Sequence, residues 1–163
     1  TSEKVQGEFA SSDISGLIGQ YAHGNEPSHH TAYLFNIAGQ PWRTQELVHQ
    51  IMTELYTDQP DGLCGNEDCG QMSAWYVLNA IGIYPLNPAN GIYQLGTPSF
   101  DHLILNLPDN KIFEITAENL SDKNFYVQEV LLNNEVLDRT WISHEEIISG
   151  GKLHFVMGAD PKK

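Results

Sequence analysis

Gly70-Gln71-Met72-Ser73-Ala74-Trp75-Tyr76-Val77-Leu78-Asn79-Ala80-Ile81-Gly82-Ile83-Tyr84-Pro85 is the stretch on which the architecture turns. Its bulky residues Met72, Trp75, Tyr76 and Ile81 predict a helix that begins near Gly70 and stops at Gly82. Pro85 marks a change of character: before it apolar residues recur near the helical period, after it they alternate as in strands. Upstream, Pro41 suits the first turn of a helix in which Leu47, Ile51 and Leu55 repeat every fourth residue, with Glu46, Gln50 and Glu54 between them. Further back, Ser28 is expected to cap a helix from His29 to Ala38 with Tyr33, Leu34 and Ile37 on one side, ended by Gly39. Thr1 to Asn25, rich in Gly, Ser and short polar residues, reads mainly as irregular.

Downstream the expected strands are Ile92 to Leu95, His102 to Leu107, Lys111 to Glu118, Val127 to Leu132 and Lys152 to Met157. Phe113, Ile115 and Ala117 alternate with Ile112, Glu114 and Thr116, as in a strand with one buried face. Asn133-Asn134 and Ser149-Gly150-Gly151 suit hairpin turns. Helices followed by strands predict an α+β chain with a helical unit at 1–85 and an antiparallel β region at 86–163.

A chain of 163 residues, 40% hydrophobic, is long enough for a sizeable core. Its net charge of −13, with only 8 Lys and Arg, argues against nucleic acid as a partner, because phosphate contacts need cations. No apolar run approaches the ~20 residues of a membrane span, and Thr1-Ser2-Glu3-Lys4 does not resemble a signal segment; the opening reads like the middle of a longer protein. Cys64 and Cys69 lack the spacing of a zinc knuckle, and suit either free buried thiols or a local disulfide.

Two clusters carry chemistry. The first, His23-Gly24-Asn25-Glu26-Pro27-Ser28-His29-His30, gathers an acid, an amide and imidazoles before an expected helix start. Glu26, His29 and His30 are not spaced as a zinc-protease motif, whereas Asn25 and Glu26 offer the hard oxygens that calcium prefers. The bland alternative makes Ser28 a cap, Glu26 a partner for the helix dipole and the histidines surface residues. The second cluster, Asp61-Gly62-Leu63-Cys64-Gly65-Asn66-Glu67-Asp68-Cys69-Gly70-Gln71, sets two carboxylates and an amide between glycines at the start of the third helix. Acidic residues at a helix start are ordinary, but here Trp75 and Tyr76, aromatic surfaces of the kind that bind sugars, follow directly. Two carboxyl groups in one cleft are the minimum for glycoside hydrolysis.

At these residues a resemblance emerges. Gly24-Asn25-Glu26-Pro27-Ser28-His29-His30, Tyr33-Leu34-Phe35-Asn36 and Gly39-Gln40-Pro41-Trp42-Arg43-Thr44-Gln45 resemble glycoside hydrolase family 92, as do Gly62 to Tyr76 and Gly82-Ile83-Tyr84-Pro85. The motifs cover about half the chain; from Ile92 onward the likeness is a looser strand pattern. The resemblance implies a calcium-dependent, exo-acting, inverting α-mannosidase that removes terminal mannose, with the α-1,2 linkage expected, and a periplasmic or extracellular setting. It implies that this chain holds the last helices of an (α/α)6 toroid and the strands that follow, and that the rest of the parent polypeptide is its partner. By position it makes Asp68 the general base on water and puts Asn66 where relatives can carry a second aspartate. It assigns sugar contacts to Glu26, His29, His30 and Glu67, and metal ligation to Asn25 and Glu26. The general-acid glutamate belongs to an upstream motif that nothing in Thr1 to His23 reproduces; Glu3 and Glu8 lie in unmatched surroundings. The segment alone is therefore expected to be inactive.

Two other readings compete. One is a calcium-dependent carbohydrate-binding module, with Trp42, Trp75 and Tyr76 as a sugar platform. The other is a purely structural interaction domain presenting its β-half, which leaves the long acidic motifs without a purpose.

Overall fold

The computed structural model describes residues 14–163. It opens with a small hairpin of β1 (Leu17–Ile18) and β2 (Tyr21–Ala22), turned through Gly19 at φ +60°. Past the hairpin, His23 N–H donates to the Gly16 carbonyl and Gly24 N–H to that of Ser15, each at 3.0 Å.

The segment expected to be one helix is three short pieces. Glu26–Ser28 and Thr31–Tyr33 are 3-10 turns, and only α1 (Leu34–Ile37) is α-helical. Ser28 ends the first turn instead of capping a helix. The buried residues are His29, Ala32, Tyr33 and Asn36, while Leu34 and Ile37, expected beside Tyr33, are exposed. Long-range bonds hold this register: Tyr33 Oη donates to Asn79 Oδ1 at 2.7 Å and Asn36 Nδ2 to the Leu95 carbonyl at 2.9 Å.

Helix α2 (Pro41–Glu54) starts on proline as expected. Its core seam is Thr44, Val48, Ile51, Met52 and Leu55, so Val48 takes the central place expected of Leu47. Helix α3 (Gln71–Ile81) begins after Gly70 and ends at Gly82, both left-handed, with Met72, Trp75, Asn79 and Ala80 buried.

The strands are β3 (Ile83–Tyr84), β4 (Ile92–Leu95), β5 (His102–Asn106), β6 (Ile112–Glu118), β7 (Tyr126–Leu132), β8 (Glu135–Val136), β9 (Trp141–Ser143) and β10 (Gly151–Gly158); β4, β5, β6, β7 and β10 fall almost where alternation put them, whereas the short β3, β8 and β9 were not expected. A five-stranded sheet runs β5-β6-β10-β7-β8, and a three-stranded sheet runs β3-β4-β9. The five-stranded sheet is mixed, not wholly antiparallel, because β10 lies parallel to β6 and antiparallel to β7. Asn133 and Asn134, both at positive φ, turn β7 into β8 as expected. Ser149-Gly150-Gly151 is not a hairpin turn: it leads from α4 (His144–Ile148) into β10. That short helix is fixed by a capping box between Ser143 and Glu146.

Two apolar clusters result. Phe113, Ile115, Leu153, Phe155 and Met157 face inward from β6 and β10, joined by Ile83, Leu95 and Ile142 of the smaller sheet. Tyr33, Val48, Ile51, Trp75 and Tyr84 form the helical cluster, and Leu78 packs against both. Since β3 pairs with β4, backbone pairing crosses residue 85, where the sequence changes period.

Candidate active site

The two motif loops meet backbone to backbone. A Cβ on Gly65 would stand 2.6 Å from the Gly24 Cα, and one on Gly24 would stand 2.1 Å from Ser15 Oγ. Contact this close is open only to glycine on both sides. Asn25 follows one glycine of the crossing and Asn66 the other.

Beneath the crossing lies a closed hydrogen-bond network. His23 is fully buried, with Tyr21 Oη 2.7 Å from Nδ1 and Tyr56 Oη 2.6 Å from Nε2. Tyr56 Oη donates to the Met72 carbonyl at 3.1 Å, so its oxygen accepts from His23 Nε2–H, and Tyr21 then donates to Nδ1. His29, stacked on His23 at 4.6 Å, donates Nε2–H to the His23 carbonyl at 2.9 Å and faces Gln71 Nε2 with Nδ1 at 3.3 Å. Trp75 Nε1 donates to the His29 carbonyl at 3.1 Å. The network thus runs from the first loop into the first turns of α3. Burial, and then the neighbouring His29, hold the His23 imidazole down at about 3. His29 is lowered too, by burial, against the opposing pull of its bond to the His23 carbonyl and of the Glu26 charge.

The expected site residues separate by accessibility. Asn25 and Glu26 are half-buried at the start of the first 3-10 turn, and His30 is exposed beyond it. His29, expected at the sugar, has both ring nitrogens engaged inside the protein, and so it ties the loops together. Asn66 and Asp68 are exposed. Asp68, Cys69 and Gly70 form a run of left-handed residues at φ +46°, +58° and +91°, a conformation that only glycine adopts freely. Glu67, between the two exposed residues, is half-buried and bonded to Ser73. Cys64 and Cys69 are both free thiols.

Trp75 is not part of a sugar platform: it is fully buried, stacked in parallel on Tyr56 at 5.9 Å and set edge-on to His23 at 4.4 Å. A cleft of about 450 Å³ runs between Tyr56, Thr57, Leu63, Ser73, Tyr76 and Val77; Tyr76 of the binding-module reading lines it, but none of the residues assigned to catalysis, sugar contact or metal ligation does. As possible metal ligands, Asn25 and Glu26 supply oxygens of the kind calcium takes, but not the number it needs. Among the described residues no group of three or more His, Cys, Asp or Glu side chains gathers as a metal set. No described helix is long and apolar enough to cross a membrane. Glu3 and Glu8 lie outside the described residues.

Tyr56 carries no motif signal of its own, and only the folded geometry joins it to the loops. Gln71 could be found, since it closes the second motif.

Comparison with known proteins places these loops in a family. Residues 2–159 match the glycosyl hydrolase family 92 catalytic domain. An uncharacterized secreted glycosidase of Arthroderma benhamiae is 31% identical over 140 residues, which are 84% of this chain and 18% of that protein. The family GH92 α-mannosidase of Bacteroides thetaiotaomicron, in complex with mannoimidazole, superposes with a TM-score of 0.91 at 42% identity, covering 97% of this chain and 21% of that one. A family GH92 inverting mannosidase from the same organism gives a TM-score of 0.83 at 41% identity, over 88% of this chain and 19% of its own. The chain thus spans about a fifth of the length of these relatives. With both the sequence profile and the solved structures following it from the hairpin to β10, the chain belongs to the catalytic domain of glycosyl hydrolase family 92.

Proposed function

We propose that this chain forms one side of the active site of an exo-acting α-mannosidase that removes terminal mannose from glycans with inversion. The observation that supports this reading best is the crossing of the two motif loops at Gly24 and Gly65, with Asp68 held exposed on a left-handed turn beside it. Asp68 acts as general base. Its carboxylate takes a proton from water, the water oxygen bonds to the anomeric carbon, and the glycosidic C–O bond breaks on the opposite face. The leaving oxygen takes its proton from a general acid on another segment of the enzyme. Asn66 helps position the water or the sugar, and Glu26 and His30 contact sugar hydroxyls.

Calcium is the proposed metal, with Asn25 and Glu26 giving two of its roughly six to eight oxygens and water, sugar and other segments the rest. When bound, the ion would hold sugar hydroxyls in place. The substrates are mannose-containing oligosaccharides, α-1,2-linked in the first instance, and the setting is periplasmic or extracellular. The secreted relative and the mannosidase neighbours support both. Without the general acid the segment alone is inactive.

The test is Asp68→Asn in the enzyme that contains this chain. Turnover of a mannobiose should fall by about 10²- to 10⁴-fold, while calorimetric affinity for the disaccharide changes little. Near-normal turnover would remove Asp68 from the role of base.

A further inference from the structure

The resemblance would make Glu67 a sugar contact, yet its surroundings describe a different task. Both carboxylate oxygens are already engaged: Oε1 accepts Ser73 N–H at 3.1 Å, and Oε2 accepts Ser73 Oγ–H at 2.7 Å. The main chain closes the same loop, with Met72 N–H donating to the Glu67 carbonyl at 3.3 Å and Gln71 N–H to the Asp68 carbonyl at 3.2 Å. The first three amides of α3 therefore all turn back to Glu67 and Asp68. Gly70, preceding the helix, has no side chain to cap it, and Glu67 does so from three residues further out.

What the clasp spans is the strained turn. Asp68 and Cys69 occupy left-handed backbone that disfavours any side chain, and they hold it only if surrounding bonds fix it. The Glu67 to Ser73 bonds bridge that turn, with Asp68 inside the bridged segment. We propose that Glu67 is a positioning residue, whose carboxylate, locked onto Ser73, keeps the turn left-handed and so presents Asp68 to the reacting water. This rests on the reading of Asp68 as base. A general base works only within hydrogen-bond reach of the proton it takes, and small misplacements are costly in rate. A relaxed turn would swing Asp68 away while leaving the first loop and its sugar contacts intact.

The experiment compares Glu67→Ala and Glu67→Gln in the full-length enzyme. Alanine removes both bonds, and kcat should fall about 10- to 100-fold with KM within about 3-fold. Glutamine keeps an oxygen for Ser73 N–H and an amide for Ser73 Oγ, so it should recover most of the loss. If both variants instead raise KM about 10-fold with kcat intact, Glu67 touches sugar and the proposal is overturned. A nitroxide on Cys69, in a Cys64→Ser background, reports the turn independently of the chemistry. Glu67→Ala should increase its mobility; unchanged mobility would overturn the clasp. A more mobile label with unchanged kcat would overturn the role of Asp68 as base, and with it the part given to Glu67 in catalysis.

Discussion

Lowering the pH from 7 to about 4.5 should open the crossing of the two loops through His23. In the folded chain this imidazole sits at about 3, because burial penalises its charged form. In the unfolded chain it returns to about 6.5. The depressed value means that the unfolded form takes up the proton first. The stabilisation is fully present above pH 6.5 and is lost as the pH falls from there toward 3. At about pH 4.5 the gap is two units, or roughly 2.7 kcal/mol, which corresponds to about a hundredfold rise in the open population. Cys64 reports this opening well: it is half-buried against Gly16, whose carbonyl accepts the His23 N–H. Its reaction with 4,4′-dithiodipyridine, divided at each pH by the rate in the unfolded chain, gives the opening constant. Cys69, already exposed, reacts first and separately. His23→Gln keeps an acceptor for Tyr21 and a donor for Tyr56 but does not titrate, so the hundredfold part of the acid response should vanish in that variant, leaving only the part that the buried His29 contributes. An equal acid response in both proteins would refute the assignment of His23 as a buried neutral link.

Gly65→Ala should force the loops apart, since its Cβ would stand 2.6 Å from the Gly24 Cα. A stability loss of about 1–3 kcal/mol by urea titration is expected, with turnover reduced by at least about tenfold. Tyr33→Phe removes the donor to Asn79 Oδ1 and leaves that oxygen buried and unpaired, a loss of about 1–3 kcal/mol measurable the same way, with substrate affinity unchanged.

The elements that could be read from the sequence are those whose signals are local. Pro41 and Gly82 bound helices at the expected places, and Asn133-Asn134 makes the expected turn, because each residue carries its own backbone preference. Residues 26–37 defied periodicity because bonds joining His29, Tyr33 and Asn36 to Trp75, Asn79 and Leu95, far along the chain, fix their register. The helix His144–Ile148 was legible in principle, since Ser143 and Glu146 form a capping-box pair. Trp75 looked like a sugar platform because helical spacing does not say which face a neighbouring loop will cover. At the site the two motifs could be read as strings. The crossing of Gly24 and Gly65, the His23 network and the Glu67 clasp could not, as each depends on where separate segments meet.

The placement of β10 also bears on the order in which the chain assembles. Residues 151–158 fill the slot between β6 and β7, so the middle of the larger sheet is made from a segment synthesised after both of its neighbours. Until it arrives, Phe113, Ile115 and Val130 have no Leu153 or Phe155 to pack against, and the facing edges of β6 and β7 lie open. The helical cluster around Trp75, drawn from residues 32–84, can condense before that segment arrives, and the sheet closes only by a long-range insertion of the slow, aggregation-exposed kind.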